Sequence, residues 1–257
     1  MLKTGLEENI WESAKLIFSV HDESSVIFKK ELHSFFASPM AYIFLVVFAI
    51  VNGYFFTNTF FLYDQSDMRA LFSIVPLVYL FFIPAVSMGL ISRENGIGTI
   101  EILSTLPVRD FDIVFGKYLA ALTLILVALL TTTIHYITLV SVGTNIDHGA
   151  VFSGYLGLAL MGGVYASIGI FSSSLTDNQV VAFIIGIAIV LIFFLMDQLL
   201  VFVPSSMAGI VQYLSTGFHL SNISRGVIDT RNLVYFFSMI SFFIYLTTQI
   251  FQSRKWN

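Results

Sequence analysis

The polar stretch between the second and third apolar runs of this chain is its densest concentration of chemically capable side chains. It reads Arg93-Glu94-Asn95-Gly96-Ile97-Gly98-Thr99-Ile100-Glu101-Ile102-Leu103-Ser104-Thr105-Leu106-Pro107, followed by Gly116-Lys117. A Gly-Lys pair after a glycine-bearing segment raises the question of phosphate binding, which requires G-x-x-x-x-G-K-[ST]. Phe111 stands where the first glycine is needed and Tyr118 where the hydroxyl is needed, so no nucleotide site is expected here. With no cysteine in the chain there is no thiolate metal site and no thiol nucleophile. Neither a catalytic residue nor a metal site is expected. Inside the apolar runs the ionisable groups are His135 and Asp197.

These residues must be positioned by membrane helices. The chain has 257 residues, of which 57% are hydrophobic and 11% charged, with 27 Phe and a mean hydropathy of +0.88. A soluble domain of this size does not look like that. A helix needs roughly 20 apolar residues to cross a bilayer, and six runs qualify: 39–62, 70–91, 118–142, 151–175, 180–203 and 233–251. An all-α integral membrane protein with both termini on one side is expected. Lys3, Lys15, Lys29, Lys30, Arg93, Arg109, Lys117, Arg254 and Lys255 fall on that side, against Arg69, Arg225 and Arg231 on the other. Basic residues accumulate on the cytoplasmic side, so both termini are expected in the cytoplasm and the chain in a bacterial inner membrane. A net charge of −4 speaks against nucleic acid as a partner.

Residues 1–38 are read as a cytoplasmic segment ahead of a six-span domain at 39–257. Ile27, Phe28, Leu32, Phe35 and Phe36 recur at helical spacing while Lys29, Lys30 and His33 fall largely elsewhere. That pattern predicts an amphipathic helix in contact with membrane lipid before Pro39 turns the chain inward. Pro76 and Pro84 are expected to kink or loosen the second span. Ala159, Gly163 and Ser167 place a small residue every four positions, for close helix packing. Thr131, Thr132 and Thr133 are expected to bond back to their own helix. Between Pro204 and Asn232, apolar residues at short spacing predict amphipathic helices returning to the membrane. His135 and Asp197 lie toward the outer ends of their spans; each is read as a solvated interfacial group, with lining of a substrate path as the functional alternative.

In the polar stretch, Gly96 and Gly98 are expected to break the helix leaving the bilayer, and Ile100, Leu103 and Leu106 offer an apolar stripe before Pro107. Asp110 or Asp112 is expected to cap a helix that carries Phe111, Val114 and Phe115 through Gly116 into span three. So short a helix is unstable alone in water, so it is expected to dock, presenting Glu94 and Glu101 as exposed carboxylates. An ordinary structured loop is the plainer alternative.

An acidic residue, Gly-Thr-Ile-Glu, an aliphatic-Leu-Ser, a proline and then Gly-Lys, set between spans two and three of six, resembles the pattern of ABC-2-type transporter permeases. The resemblance runs from about Ser25 to the C-terminus and implies a type V exporter-like permease fold. It also implies that the segment is the coupling helix received by a separate ATPase, with the carry-over falling on Glu94, Gly98, Thr99, Glu101, Leu103, Pro107, Gly116 and Lys117. ATP and Mg would then bind the ATPase chain, and a second permease subunit, identical or different, would complete the pore. Ser34-Phe35-Phe36-Ala37-Ser38-Pro39 and Ser224-Arg225-Gly226-Val227-Ile228-Asp229 further resemble the gliding-motility-associated F-type permease subunits of Bacteroidetes, with nitrous-oxide-reductase maturation permeases as relatives. Two other classes compete. A secondary carrier would place charges at the membrane midplane, where this sequence has none; a non-transporting scaffold of a motility complex would keep the ATPase contact and move nothing.

Overall fold

The computed structural model describes residues 23–63, 68–99, 108–143 and 146–254, and everything described is helix or short connection. Helix α1 covers 23–37. It turns Ile27, Phe28, Glu31, Leu32, Phe35 and Phe36 inward to half-burial and leaves Lys29, Lys30 and His33 exposed. After a bend at Ser38 come α2 (Pro39–Tyr63), α3 (Arg69–Ser87), α4 (Gly89–Ile97), α5 (Asp110–Thr131) and α6 (Thr133–Val142). Then follow α7 (His148–Ser174), α8 (Gln179–Leu199), α9 (Ser205–Leu214), α10 (Thr216–Ile223) and α11 (Thr230–Arg254), with one 3-10 turn at Leu200–Phe202. Among the described residues, six stretches are long and apolar enough to cross a membrane: Pro39–Phe60, Arg69–Ile97, Asp110–Val142, His148–Ser174, Gln179–Phe202 and Thr230–Ser253.

The order of packing follows from side-chain size. Helix α7 is the hub, touching α3, α4, α5, α8, α10 and α11, and 78% of its apolar window is buried against 17% for α8. Glycines make that possible, because helices meeting without a hydrophobic driving force between them gain by close backbone approach. A Cβ on Gly163 would lie 2.9 Å from Tyr118 Oη, and one on Gly154 or Gly169 would collide with Phe72 or Ser87. Ser167 is buried in the same face. Helix starts are capped locally: Asp147 accepts from Ala150 N at 3.1 Å, Asn178 from Val180 N at 2.8 Å, and Ser215 from Phe218 N at 3.3 Å.

Two spans are interrupted. The second stays helical through Pro76 and Pro84 and is interrupted at Met88, whose N donates to Pro84 O at 2.9 Å. There Ser173 Oγ of α7 accepts from Ile91 N at 3.0 Å and Ser92 N at 2.9 Å and donates to Met88 O at 2.7 Å. A side chain has replaced the rung that Ser92 N would have made to Met88 O, and such an insertion bends a helix. The third span is interrupted at Thr132. Thr131, Thr132 and Thr133 each donate to the carbonyl three residues back, and Tyr155 Oη donates to Thr132 O at 3.0 Å.

Two sequence expectations are corrected here. Gly96 does not break the helix; it lies inside α4, where a Cβ would stand 2.8 Å from Asp177 O, so its role is close approach to the α7–α8 connection. Gly98 does end the helix, with φ of 79° in the left-handed region that favours glycine. The third span's helix begins at Asp110, with Arg109 at the N-cap and no side-chain cap, so Asp110 and Asp112 act as first-turn acids. Two short helices, α9 and α10, occupy the connection before α11, as the apolar spacing predicts.

Candidate functional site

The described parts of the polar stretch, residues 93–99 and 108–117, lie at one end of the bundle, the end on which α1 lies. Gly116 creates the opening: a Cβ there would meet Ser24 O at 2.9 Å and Ile27 Cβ at 3.0 Å, so α1 crosses α5 closely because position 116 has no side chain. Ser24 Oγ donates to Asp112 Oδ1 at 2.8 Å, one turn earlier on α5. The next residue, Lys117, projects between α1 and α4.

Its ammonium is 1% exposed and meets three oxygens: Glu31 Oε1 at 2.9 Å, Leu90 O at 2.8 Å, and Glu94 Oε2 at 2.9 Å. The Glu31 and Leu90 contacts are aligned hydrogen bonds; the Glu94 contact is a close ion pair without that alignment. Lys30 completes a four-member network from α1, at 3.5 Å from Glu31 Oε1 and 3.4 Å from Glu94 Oε1. Burial works against the Lys30 cation, but Glu31 and Glu94 beside it outweigh that and hold its pKa above the ordinary lysine value. The two carboxylates thus each serve two lysines. Glu94 is accordingly not an exposed carboxylate, as its sequence suggested: its side chain is 16% exposed and its charge is spent inside the protein. Beside the network a cavity of about 340 Å³ opens between α1, α3, α4 and α8, lined by Lys30, Glu31, Ser34, Arg93, Glu94 and Gln179 among others.

Of the residues carried over from the sequence pattern, the structure brings Glu94, Gly116 and Lys117 into one contact region, together with Gly98 and with Thr99, whose Oγ1 donates to Glu94 O at 3.4 Å. Glu101, Leu103 and Pro107 lie outside the described residues. Sequence reasoning missed Glu31 and Ser173. Glu31 sits on the inward face of an amphipathic helix, and an acidic residue among Ile27, Phe28 and Phe35 was the available signal; nothing local marks Ser173 among its neighbours Ser172 and Ser174.

His135 and Asp197 are not brought together. His135 on α6 stacks on Phe56 of α2 with ring centres 4.7 Å apart. Asp197 lines a cavity of about 580 Å³ at the end of the bundle opposite α1, with Arg69 and Arg225. Among the described residues no cluster of His, Asp and Glu is arranged to hold a metal ion.

A comparison with curated proteins finds no match. The family model for ABC-2 family transporter proteins matches residues 25–257, from the start of α1 through all six membrane-crossing stretches. Six apolar crossings, an N-terminal helix clamped to the first connection on that side, and a match over nearly the whole chain agree: this chain belongs to the ABC-2 family of transporter proteins.

Proposed function

We propose that the chain is the permease subunit of an ATP-driven exporter and that residues 93–117 couple it to a separate ATPase. Membership of the family makes it a membrane component without its own ATPase site and implies an ABC ATPase partner. The observation that carries the coupling role is the Lys117 network. Glu94 at the end of α4 and Lys117 near the start of α5 flank the loop on both sides and are joined at 2.9 Å, with Glu31 of α1 on the same ammonium. A loop held at both its roots transmits a push to two spans and to α1 as one body. A free loop would absorb it. ATP binding and hydrolysis on the partner would move the loop, and the spans would reorient against a second permease subunit. On the basic-residue bias the α1 end faces the cytoplasm of a bacterial inner membrane. The gliding-motility assignment rests on the two runs at 34–39 and 224–229, and export is the direction it implies.

The test is copurification. Glu101→Arg or Leu103→Asp should abolish recovery of the ATPase with the permease while leaving the amount of membrane-inserted permease unchanged. Full recovery of the ATPase with both variants removes the coupling assignment.

A further inference from the structure

Three serines close α7, and they do different things. Ser172 Oγ donates to Gly169 O at 2.8 Å and Ser174 Oγ to Phe171 O at 2.7 Å, each bonding back to its own helix. Ser173 reaches across to α4 instead. It is fully buried, and its hydroxyl accepts from the amides of Ile91 at 3.0 Å and Ser92 at 2.9 Å while donating to Met88 O at 2.7 Å. One proton and two lone pairs are thereby all in use. The reach depends on Gly169, one turn earlier on α7, where a Cβ would collide with Ser87 at the end of α3. The far end of α4 is tied to the same corner: Asn95 Nδ2 donates to Thr176 O at 3.5 Å, and a Cβ on Gly96 would stand 2.8 Å from Asp177 O. Helix α4 is thus fastened to α7 at its start and to the α7–α8 connection at its end, while α3, which precedes it in sequence, stops at Ser87. A helix is compliant where an outside group enters its ladder, so a push on α4 is taken up at Met88 before it reaches α3.

We propose that Ser173 is a positioning residue for coupling: movement of the 93–117 segment enters the bundle through its hydroxyl into the hub helix α7, and α3 pivots against that body at Met88. Without the hydroxyl, Ile91 N and Ser92 N would turn to the carbonyls four residues back, Ser87 O and Met88 O. Those bonds would run α3 and α4 into one helix and release α4 from α7. The two arrangements use the same amides and exclude each other, which is what a two-state element requires. The inference rests on the coupling role proposed for the segment and names the route by which its motion spreads.

The test places pairs of spin labels in this cysteine-free chain and reads their separation by double electron–electron resonance. Ile97 at the end of α4, Phe81 on α3 and Phe152 near the start of α7 are exposed and accept a label. In the full-length permease recovered with its ATPase, ATP and Mg should change the separation of positions 81 and 97 by about 2 Å or more, the scale of helix shifts in switching proteins. The separation of positions 97 and 152 should stay constant. Ser173→Ala should abolish the first change and broaden the second distance, with the ATPase still recovered. Ser173→Thr, which keeps a hydroxyl, should restore the wild-type pattern; Ser173→Val, of the same shape without the hydroxyl, should not. Wild-type behaviour of both distances in Ser173→Ala overturns the proposal, as does a Ser173→Val protein equal to Ser173→Thr. An ATP-driven change between positions 97 and 152 as large as that between 81 and 97 overturns the route alone. Failure of the wild-type permease to recover an ATPase removes the coupling role and this inference with it.

Discussion

Replacing Lys117 by methionine keeps the length and apolar stem of the side chain and removes the charge. Glu31 Oε1 and Glu94 Oε2 both lie 2.9 Å from the ammonium nitrogen, so they are at most about 6 Å apart, and at an effective dielectric near 20 two unit charges repel there by about 3 kcal/mol. Lys30 stays beside both carboxylates, but its side chain is 60% exposed and its attraction is screened. Leu90 O also loses the ammonium as its donor. Removing one partner of a buried ion pair costs about 3–5 kcal/mol, mostly from the charges left behind. That is a large share of a typical total of about 5–15 kcal/mol. Equilibrium unfolding of the purified permease in mixed micelles, titrated with a denaturing detergent, measures the loss. Adding Glu94→Gln to Lys117→Met should return about 1–2 kcal/mol, since it removes one of the two repelling charges. A Lys117→Met protein within about 0.5 kcal/mol of wild type, or no recovery in the double variant, would refute the account of the network as a buried, mutually dependent unit.

Gly116→Val should push α1 off α5, because even a Cβ meets Ser24 O at 2.9 Å; faster trypsin cleavage at Lys29 and Lys30 with a cost of about 1–3 kcal/mol is expected. Ser173→Ala should accelerate hydrogen exchange at the Ile91 and Ser92 amides by about tenfold, since each loses a buried acceptor; unchanged protection would mean that the break at Met88 does not depend on the serine. In this cysteine-free chain, single cysteines at Asp147 and Ser221 should react with an impermeant thiol reagent in intact cells and one at Ser104 only after lysis. Labelling of the Ser104 position in intact cells would reverse the orientation.

Hydropathy alone was enough to find the six crossing stretches, because burial in lipid imposes an apolar run on consecutive residues whatever their neighbours in space. Local periodicity found α1 and the pair α9 and α10 for a similar reason: an amphipathic helix writes its two faces into its own sequence. The helix through Gly116 and the back-bonding of the three threonines were legible too, since both depend on residues within one turn. What the tertiary structure decided is what distant residues do to one another. Glu94 looked like a free surface carboxylate and is instead held by Lys117 and Lys30, because α1 and α5 cross where Gly116 has no side chain. Gly96 looked like a helix breaker and serves as a contact with Asp177 O; the helix of the second span is interrupted at Met88, where Ser173, from another helix, enters its hydrogen-bond ladder. Spans and helix faces are set by short-range burial and can be read along a line, whereas ion pairs, trans caps and cavities are set by where helices cross, which no single stretch of residues encodes.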